Sequence, residues 1–316
     1  MIDIPFITKS ALIDGGMIFL AIVVQSLPFI VLGVLISGLF RHFLSHKTLM
    51  RYLPKKPLLG CLSGSALGFF FPVCECGNIP VARRLLAQGV PLHVVMTFLL
   101  SAPVFNPIVI VSTAVAFRTL PIMVLLRVVI SLSIAVIIGW LFSRVKNADA
   151  WTEAASIREK EAHQEACFHS SDGTDRFLGN AIIEFFQMMQ FLILGAFIAA
   201  GIQVIVPREL LLSLGDGVIS STFSMMFLAF IVSICSTVDA FFAVSYSGQF
   251  SPLALLGFLV FGPVVDMKSL IMMRTLFKTK TILLVSTLAA VLCFLSILAL
   301  NSLFSLSLGS PDGLMP

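Results

Sequence analysis

The densest chemistry in the sequence lies in Phe71-Pro72-Val73-Cys74-Glu75-Cys76-Gly77-Asn78. On a continuous helix, residues two apart point to nearly opposite sides, whereas in extended backbone they share a face. Unwinding at Pro72 and Gly77 would therefore aim the thiols of Cys74 and Cys76 at one point. Cys235, in a related stretch further along, supplies a third sulfur, with Glu75 or Asp239 nearby. Thiolates select soft ions such as Cu(I) and Zn(II), and trivalent arsenic likewise favours two or three sulfurs. Cys74, Cys76 and Cys235 are thus the candidate metal ligands. The plain alternative is that a buried cysteine is a small hydrophobe, and this suits Cys61 and Cys293.

Glu75, Asp239 and Asp266 are the acids that fall well inside apolar runs. An ionisable group at mid-membrane costs roughly 2.5 to 3.5 kcal/mol on insertion scales, so it normally faces a cavity, a partner or a pathway. With Asn78 and Asn106, these acids complete the candidate substrate-binding set: Cys74, Glu75, Cys76, Asn78, Cys235, Asp239, Asn106 and Asp266. A hydrogen bond to backbone freed at a broken helix would explain the acids equally simply. His163, Cys167 and His169 follow an acidic stretch and form a possible accessory metal site, although a solvated charged linker is the simpler reading. Arg83 and Arg84 serve either as topology anchors or as a positive site that lowers a thiol pKa.

These residues sit in a chain that water does not suit. Of 316 residues, 58% are hydrophobic, against 20 Lys and Arg and 16 Asp and Glu. Uncharged apolar runs cover 17 to 40, 57 to 72, 91 to 117, 185 to 206, 217 to 238, 240 to 265 and 281 to 308. A helix needs roughly 20 such residues to cross the hydrocarbon layer. The runs lack the alternation of a membrane β-barrel, so the expected fold is an all-α polytopic integral membrane protein. Asp3 and Asp14 stand where a signal peptide would be basic, so the first run reads as a retained anchor. The net charge of +4 does not point to nucleic acid, because Lys and Arg gather beside the spans as membrane orientation demands. The cysteines, mostly inside apolar stretches, do not read as a disulfide framework.

One polar segment, 144 to 176, carries 12 charges in 33 residues and divides the chain. The parts resemble each other. Phe29, Leu32, Gly33 and Ile36 recur as Phe191, Leu194, Gly195 and Ile198, and Gln25 as Gln187, at a shift of 162. Cys74 and Asn78 recur as Cys235 and Asp239 at a shift of 161, and Phe98, Leu99, Pro103 and Asn106 as Phe258, Leu259, Pro263 and Asp266 at 160. An internal duplication follows, with a first membrane repeat over 1–143, a polar loop over 144–178 and a second repeat over 179–316. Each repeat reads as a spanning helix, an interrupted segment (57–88 or 218–250), a proline-broken helix and a last span. Basic residues at Arg41, Lys47, Arg51, Lys55 and Lys56, and at Arg274, Lys278 and Lys280, put the polar loop in the cytoplasm and give the halves opposite orientations. That is the inverted-repeat plan of many secondary transporters, with interrupted or re-entrant helices meeting at the midplane. A plain eight-span arrangement also satisfies the apolar runs.

At these residues the chain resembles the predicted permease family whose named members include methylarsenite exporters of the ArsP type and proteins described as copper and zinc efflux transporters. The resemblance rests on Phe71-Pro72-Val73-Cys74-Glu75-Cys76-Gly77, Pro80-Val81-Ala82-Arg83-Arg84-Leu85, Ala102-Pro103 with Asn106-Pro107, Asp239-Ala240-Phe241, and Gly262-Pro263 with Asp266 and Lys268. The Cys-Glu-Cys form is similar to a bacterial branch that often accompanies a second small membrane subunit. It implies a transporter in the cell membrane, not an enzyme, exporting a thiophilic metal or metalloid. The His-rich extension of some metal-exporting members is lacking. No G-x-x-x-x-G-K segment is present, so proton exchange is the expected energy source. No resident cofactor is expected. The expected partners are the lipid bilayer, the ion carried as substrate, the second small subunit and, alternatively, a second copy of the chain in a homodimer, with nucleic acid excluded. Two other functions fit: a membrane thiol-redox component cycling Cys74 and Cys76, and a transporter of a small sulfur-containing anion drawn by Arg83 and Arg84.

Overall fold

The computed structural model describes residues 9–43, 54, 56–70, 74–144, 173–205 and 217–308. These residues form helices and connecting turns. In chain order the helices are α1 (Lys9–Phe43), α2 (Pro57–Phe70), α3 (Glu75–Ala87), α4 (Leu92–Ser101), α5 (Pro107–Ala116), α6 (Ile122–Phe142), α7 (Gly173–Ile205), α8 (Val218–Val232), α9 (Asp239–Val244), α10 (Pro252–Phe261), α11 (Met267–Met273) and α12 (Thr279–Leu308). The second six repeat the order of the first six: a long helix, an interrupted pair, a second broken pair and a closing long helix. Pro72, most of the polar loop, and His163, Cys167 and His169 lie outside the described residues, while α7 already begins at Gly173.

Among the described residues, four stretches are long and apolar enough to cross a membrane: Ile13–Gly38, Ile122–Phe142, Ala181–Ile205 and Thr279–Leu303. Their outward faces carry Leu20, Val24, Leu125, Phe197 and Leu283 in the open. Lipid accepts such surfaces and water would not. The interrupted segments are not single spans. Each divides into short helices whose starts follow local rules. Pro107 and Pro252 sit at first helical positions, where a missing N–H costs nothing. Asn106 accepts from Ile108 N at 2.9 Å, and Ser251 Oγ accepts from Ala254 N at 3.3 Å.

Small residues bring the helices close. A Cβ on Gly33 would lie 2.8 Å from Gly77 Cα, so α1 lies directly on α3 there. At the equivalent place in the second half, a Cβ on Gly195 would lie 3.1 Å from Lys268 Cα, so α7 lies on α11. The Gly60, Gly64 and Gly68 stripe of α2 faces His93, Val94 and Ala102. Without a hydrophobic drive between helices in lipid, such close approach is how they gain contact. The halves also interlock: α3 touches α11, and α5 touches α9.

Candidate functional site

Both cysteine motifs fold alike. The Cys74 carbonyl accepts from Gly77 N at 3.0 Å and Asn78 N at 3.1 Å, and the Cys235 carbonyl accepts from Val238 N at 2.9 Å and Asp239 N at 3.1 Å. Cys74 is the N-cap of α3, itself in extended backbone, and Cys235 ends the non-helical stretch 233–235 that leads into α9. In the second half the break is made by Ser233, whose φ of 48° is the one positive value among the described non-glycine residues. A non-glycine residue in that region costs of order 1–3 kcal/mol and persists only when its surroundings hold it. Here they do: Ser233 Oγ accepts from Met267 N at 3.2 Å, and its carbonyl accepts from Lys268 Nζ at 2.7 Å.

The two motifs meet. One ligand atom each from Cys74, Glu75 and Cys235 lies within 4.8 Å of the other two, and all three residues are buried. The Cys74 thiol also interacts with that of Cys76, which is not one of the three converging groups. The cysteines are free thiols. Glu75 Oε1 pairs with Lys268 Nζ at 2.9 Å, and the same ammonium lies 3.1 Å from Asp266 Oδ2. Asp239 Oδ2 receives Arg127 Nη2 at 2.5 Å, while Arg127 Nη1 donates to Thr113 Oγ1 at 2.7 Å. Cys235 and Cys76 lie within electrostatic reach of Lys268, and Asp239 within that of Glu75.

Several polar atoms here are left over. Glu75 Oε2, Asp239 Oδ1, Ser236 Oγ and both amide atoms of Asn78 are buried without a hydrogen-bond partner among the described residues. Buried polar atoms are nearly always paired, so a cluster of exceptions needs an explanation, and a bound ion or ordered water is a usual one. Asn78 and Asp239 correspond at the sequence shift of 161, as do Glu75 and Ser236.

The candidate residues thus divide. Cys74, Glu75 and Cys235 come together, with Cys76 beside Cys74, Asp239 close by and Asn78 on the first turn of α3. Asn106 is the N-cap of α5, and Asp266 caps α11 through a reciprocal pair with Ser269, at 2.7 Å from Ser269 N. Asp266 also reaches the centre by holding Lys268. Arg83 engages Gln187 at 2.7 Å near the other end of α3.

Sequence reasoning concentrated on the acids and passed over the bases that answer them. Arg127 is the one charged residue in Ile122–Phe142, a signal as strong as that of Glu75. Lys268 entered only through a family motif. Both are almost wholly buried, and each pairs with an acid from the other half. An unpaired ion there would be prohibitive, and a paired one is tolerated.

Apolar spanning helices wrapped around a buried, charge-paired and partly unsatisfied polar centre define a membrane permease more naturally than an enzyme. The chain belongs to the predicted permease family, whose pattern matches residues 16–302. It is 41% identical to the UPF0718 protein YcgR of Bacillus subtilis (strain 168), over 84% of this chain and 89% of that protein. It is 35% identical, over 81% of this chain and 85% of the relative, to a Streptococcus mutans protein whose name proposes a two-component membrane permease complex subunit. No solved structure matches. The protein is a multi-pass protein of the cell membrane.

Proposed function

We propose that this permease exports a thiophilic metal or metalloid ion, of the arsenical, copper or zinc class, through a site between its two halves. The observation that carries the reading is the convergence of the Cys74 and Cys235 thiols with the Glu75 carboxyl inside 4.8 Å. Two sulfurs and an oxygen, with Cys76 beside them, form a donor set that suits a soft ion and repels none of the competing apolar surface. The halves are taken as inverted repeats with re-entrant segments and a cytoplasmic connecting loop, so that rocking one half against the other exposes the site alternately to each side. Glu75 would balance the charge of the cargo and Asp239 would take up a proton as cargo leaves, which makes proton exchange the energy source. The name of the Streptococcus mutans relative supports a second membrane subunit as partner, with a homodimer as the alternative assembly.

The test is flux in proteoliposomes offered arsenite, Zn(II) or Cu(I) one at a time, with and without a proton gradient. Cys74→Ser and Cys235→Ser are each expected to lower transport of the accepted ion at least about 100-fold, since each removes a soft ligand that oxygen does not replace. Unchanged flux in both variants would reject the sulfur site. The thiol contact between Cys74 and Cys235 favours one second reading, a thiol-redox component in which these two cysteines, and not Cys74 with Cys76, cycle. Thiol trapping that changes with redox buffer while no ion moves would select it.

A further inference from the structure

Lys268 holds the position that a cation would take. Its ammonium donates to the Ser233 carbonyl at 2.7 Å and has two further acceptor oxygens beside it in ion pairs, Glu75 Oε1 at 2.9 Å and Asp266 Oδ2 at 3.1 Å. Lys268 is 2% exposed, so protein surrounds the group. Cys76 and Cys235 lie within its electrostatic reach. Of its three acceptors, Ser233 and Asp266 belong to its own half, and Glu75 belongs to the other. The Glu75 contact is also the one that overlaps the cluster of Cys74, Glu75 and Cys235.

We infer that Lys268 is a tethered cation that occupies the cargo site of the unloaded permease and steps aside when cargo binds. The inference rests on the functional reading above. A positive ion settling on Glu75 and the two thiols would stand next to the ammonium, and like charges at that range in a water-poor interior do not share one carboxylate. Lys268 has somewhere to go. Its four-carbon stem is flexible, and Asp266 and the Ser233 carbonyl can keep the ammonium after it releases Glu75. Its backbone does not have to move, because the Asp266–Ser269 capping pair and the contact with Gly195 fix the first turn of α11.

Two consequences follow. With no cargo, the buried carboxylate stays compensated, so the empty carrier can reorient without dragging a bare charge through lipid. With cargo, the link between Glu75 and Lys268, which ties one half to the other, is replaced by an ion shared between Cys74 and Glu75 of the first half and Cys235 of the second. Arg127 is a poor candidate for the same work, because Asp239 and Thr113 both hold its planar fork.

The experiment measures binding of arsenite, Zn(II) and Cu(I), each alone, to the purified full-length protein. It also measures net efflux and cargo-for-cargo exchange in proteoliposomes. Lys268→Gln is expected to bind the accepted ion at least about tenfold more tightly, since a competing like charge is gone. Its net efflux should fall at least about tenfold while exchange falls much less, because only net efflux needs the empty carrier to return. Lys268→Arg keeps a cation in place and should retain net efflux while binding cargo no more tightly than the wild type. Should Lys268→Gln fail to accumulate in membranes, Lys268→Arg carries the test alone, and tighter binding in that variant overturns the inference. Wild-type transport with Lys268→Gln binding no tighter, or with exchange and net efflux falling together, overturns the inference alone. A wild-type protein that neither binds nor moves any of the three ions overturns the functional reading, and the inference falls with it.

Discussion

The two halves share an order of elements and a local backbone pattern, yet they divide the charged chemistry between them. Where the first half has Glu75 the second has Ser236, and where the first has Asn78 and Asn106 the second has Asp239 and Asp266. Neither half is electrostatically complete. Glu75 of the first half finds its cation on α11 of the second, and Asp239 of the second finds Arg127 on α6 of the first. The halves also differ in packing. In the first, a Cβ on Gly64 would lie 2.5 Å from the Val94 carbonyl oxygen, whereas in the second a Cβ on Gly257 would meet Thr222 at an ordinary 3.5 Å. Between α8, α10 and α12 the second half leaves a cleft of roughly 530 Å³ lined by Phe223, Phe227, Phe230, Phe261 and Phe294. Two halves with the same order of elements can thus keep like hydrogen-bonded breaks while their charges differ, provided each charge is answered across the interface.

That division can be attacked where it is strongest. Arg127→Met leaves Asp239 buried and unpaired, and should destabilise the protein by about 3–5 kcal/mol. Arg127→Met combined with Asp239→Leu removes both charges and should recover most of that loss. Unfolding of the detergent-purified variants would measure both, and equal losses in the single and double variants would deny the cross-half pair its role. A smaller effect separates the equivalent glycines. Gly33→Ala must displace the Gly77 backbone and should cost about 1–3 kcal/mol, as overpacking does. Gly195→Ala meets Lys268 at 3.1 Å and should cost about half as much or less. Paired melting curves decide the ranking, and the reverse order would mean that the second half is the tighter one. The smallest effect concerns the caps. Asn106→Ala should cost about 1 kcal/mol, the usual loss of an N-cap. It should leave cargo affinity unchanged, whereas Asp266→Ala, which also deprives Lys268 of a partner, should shift affinity measurably in the same binding assay.

Much of this was legible beforehand. The uncharged apolar runs named α1, α7 and α12, because a lipid solvent leaves few other ways to satisfy a backbone, while α6, which carries Arg127, entered only as the last span of the first half. The repeat shifts of 160 to 162 named equivalent breaks, and the backbone hydrogen bonds of Cys74 and Cys235 match residue for residue. The pair Asn106-Pro107 spells an N-cap followed by proline at the first helical position, and the structure forms that cap. The break at Ser233 carried no such mark, since serine is an ordinary helix residue and its left-handed turn is enforced by Met267 and Lys268, more than thirty residues away.

The sequence by itself determined that this chain lives in lipid, where its helices break, and which side chains would have to be shielded there. Those are properties of composition and near neighbours along the chain. Only the tertiary structure decided which shield goes to which charge. Arg127 and Asp239 stand 112 residues apart, and periodicity along one helix says nothing about the face another helix brings to it. The meeting of the sulfurs with Glu75 and the occupation of that carboxyl by Lys268 follow from two halves closing on each other, since each half buries charges that the other must neutralise.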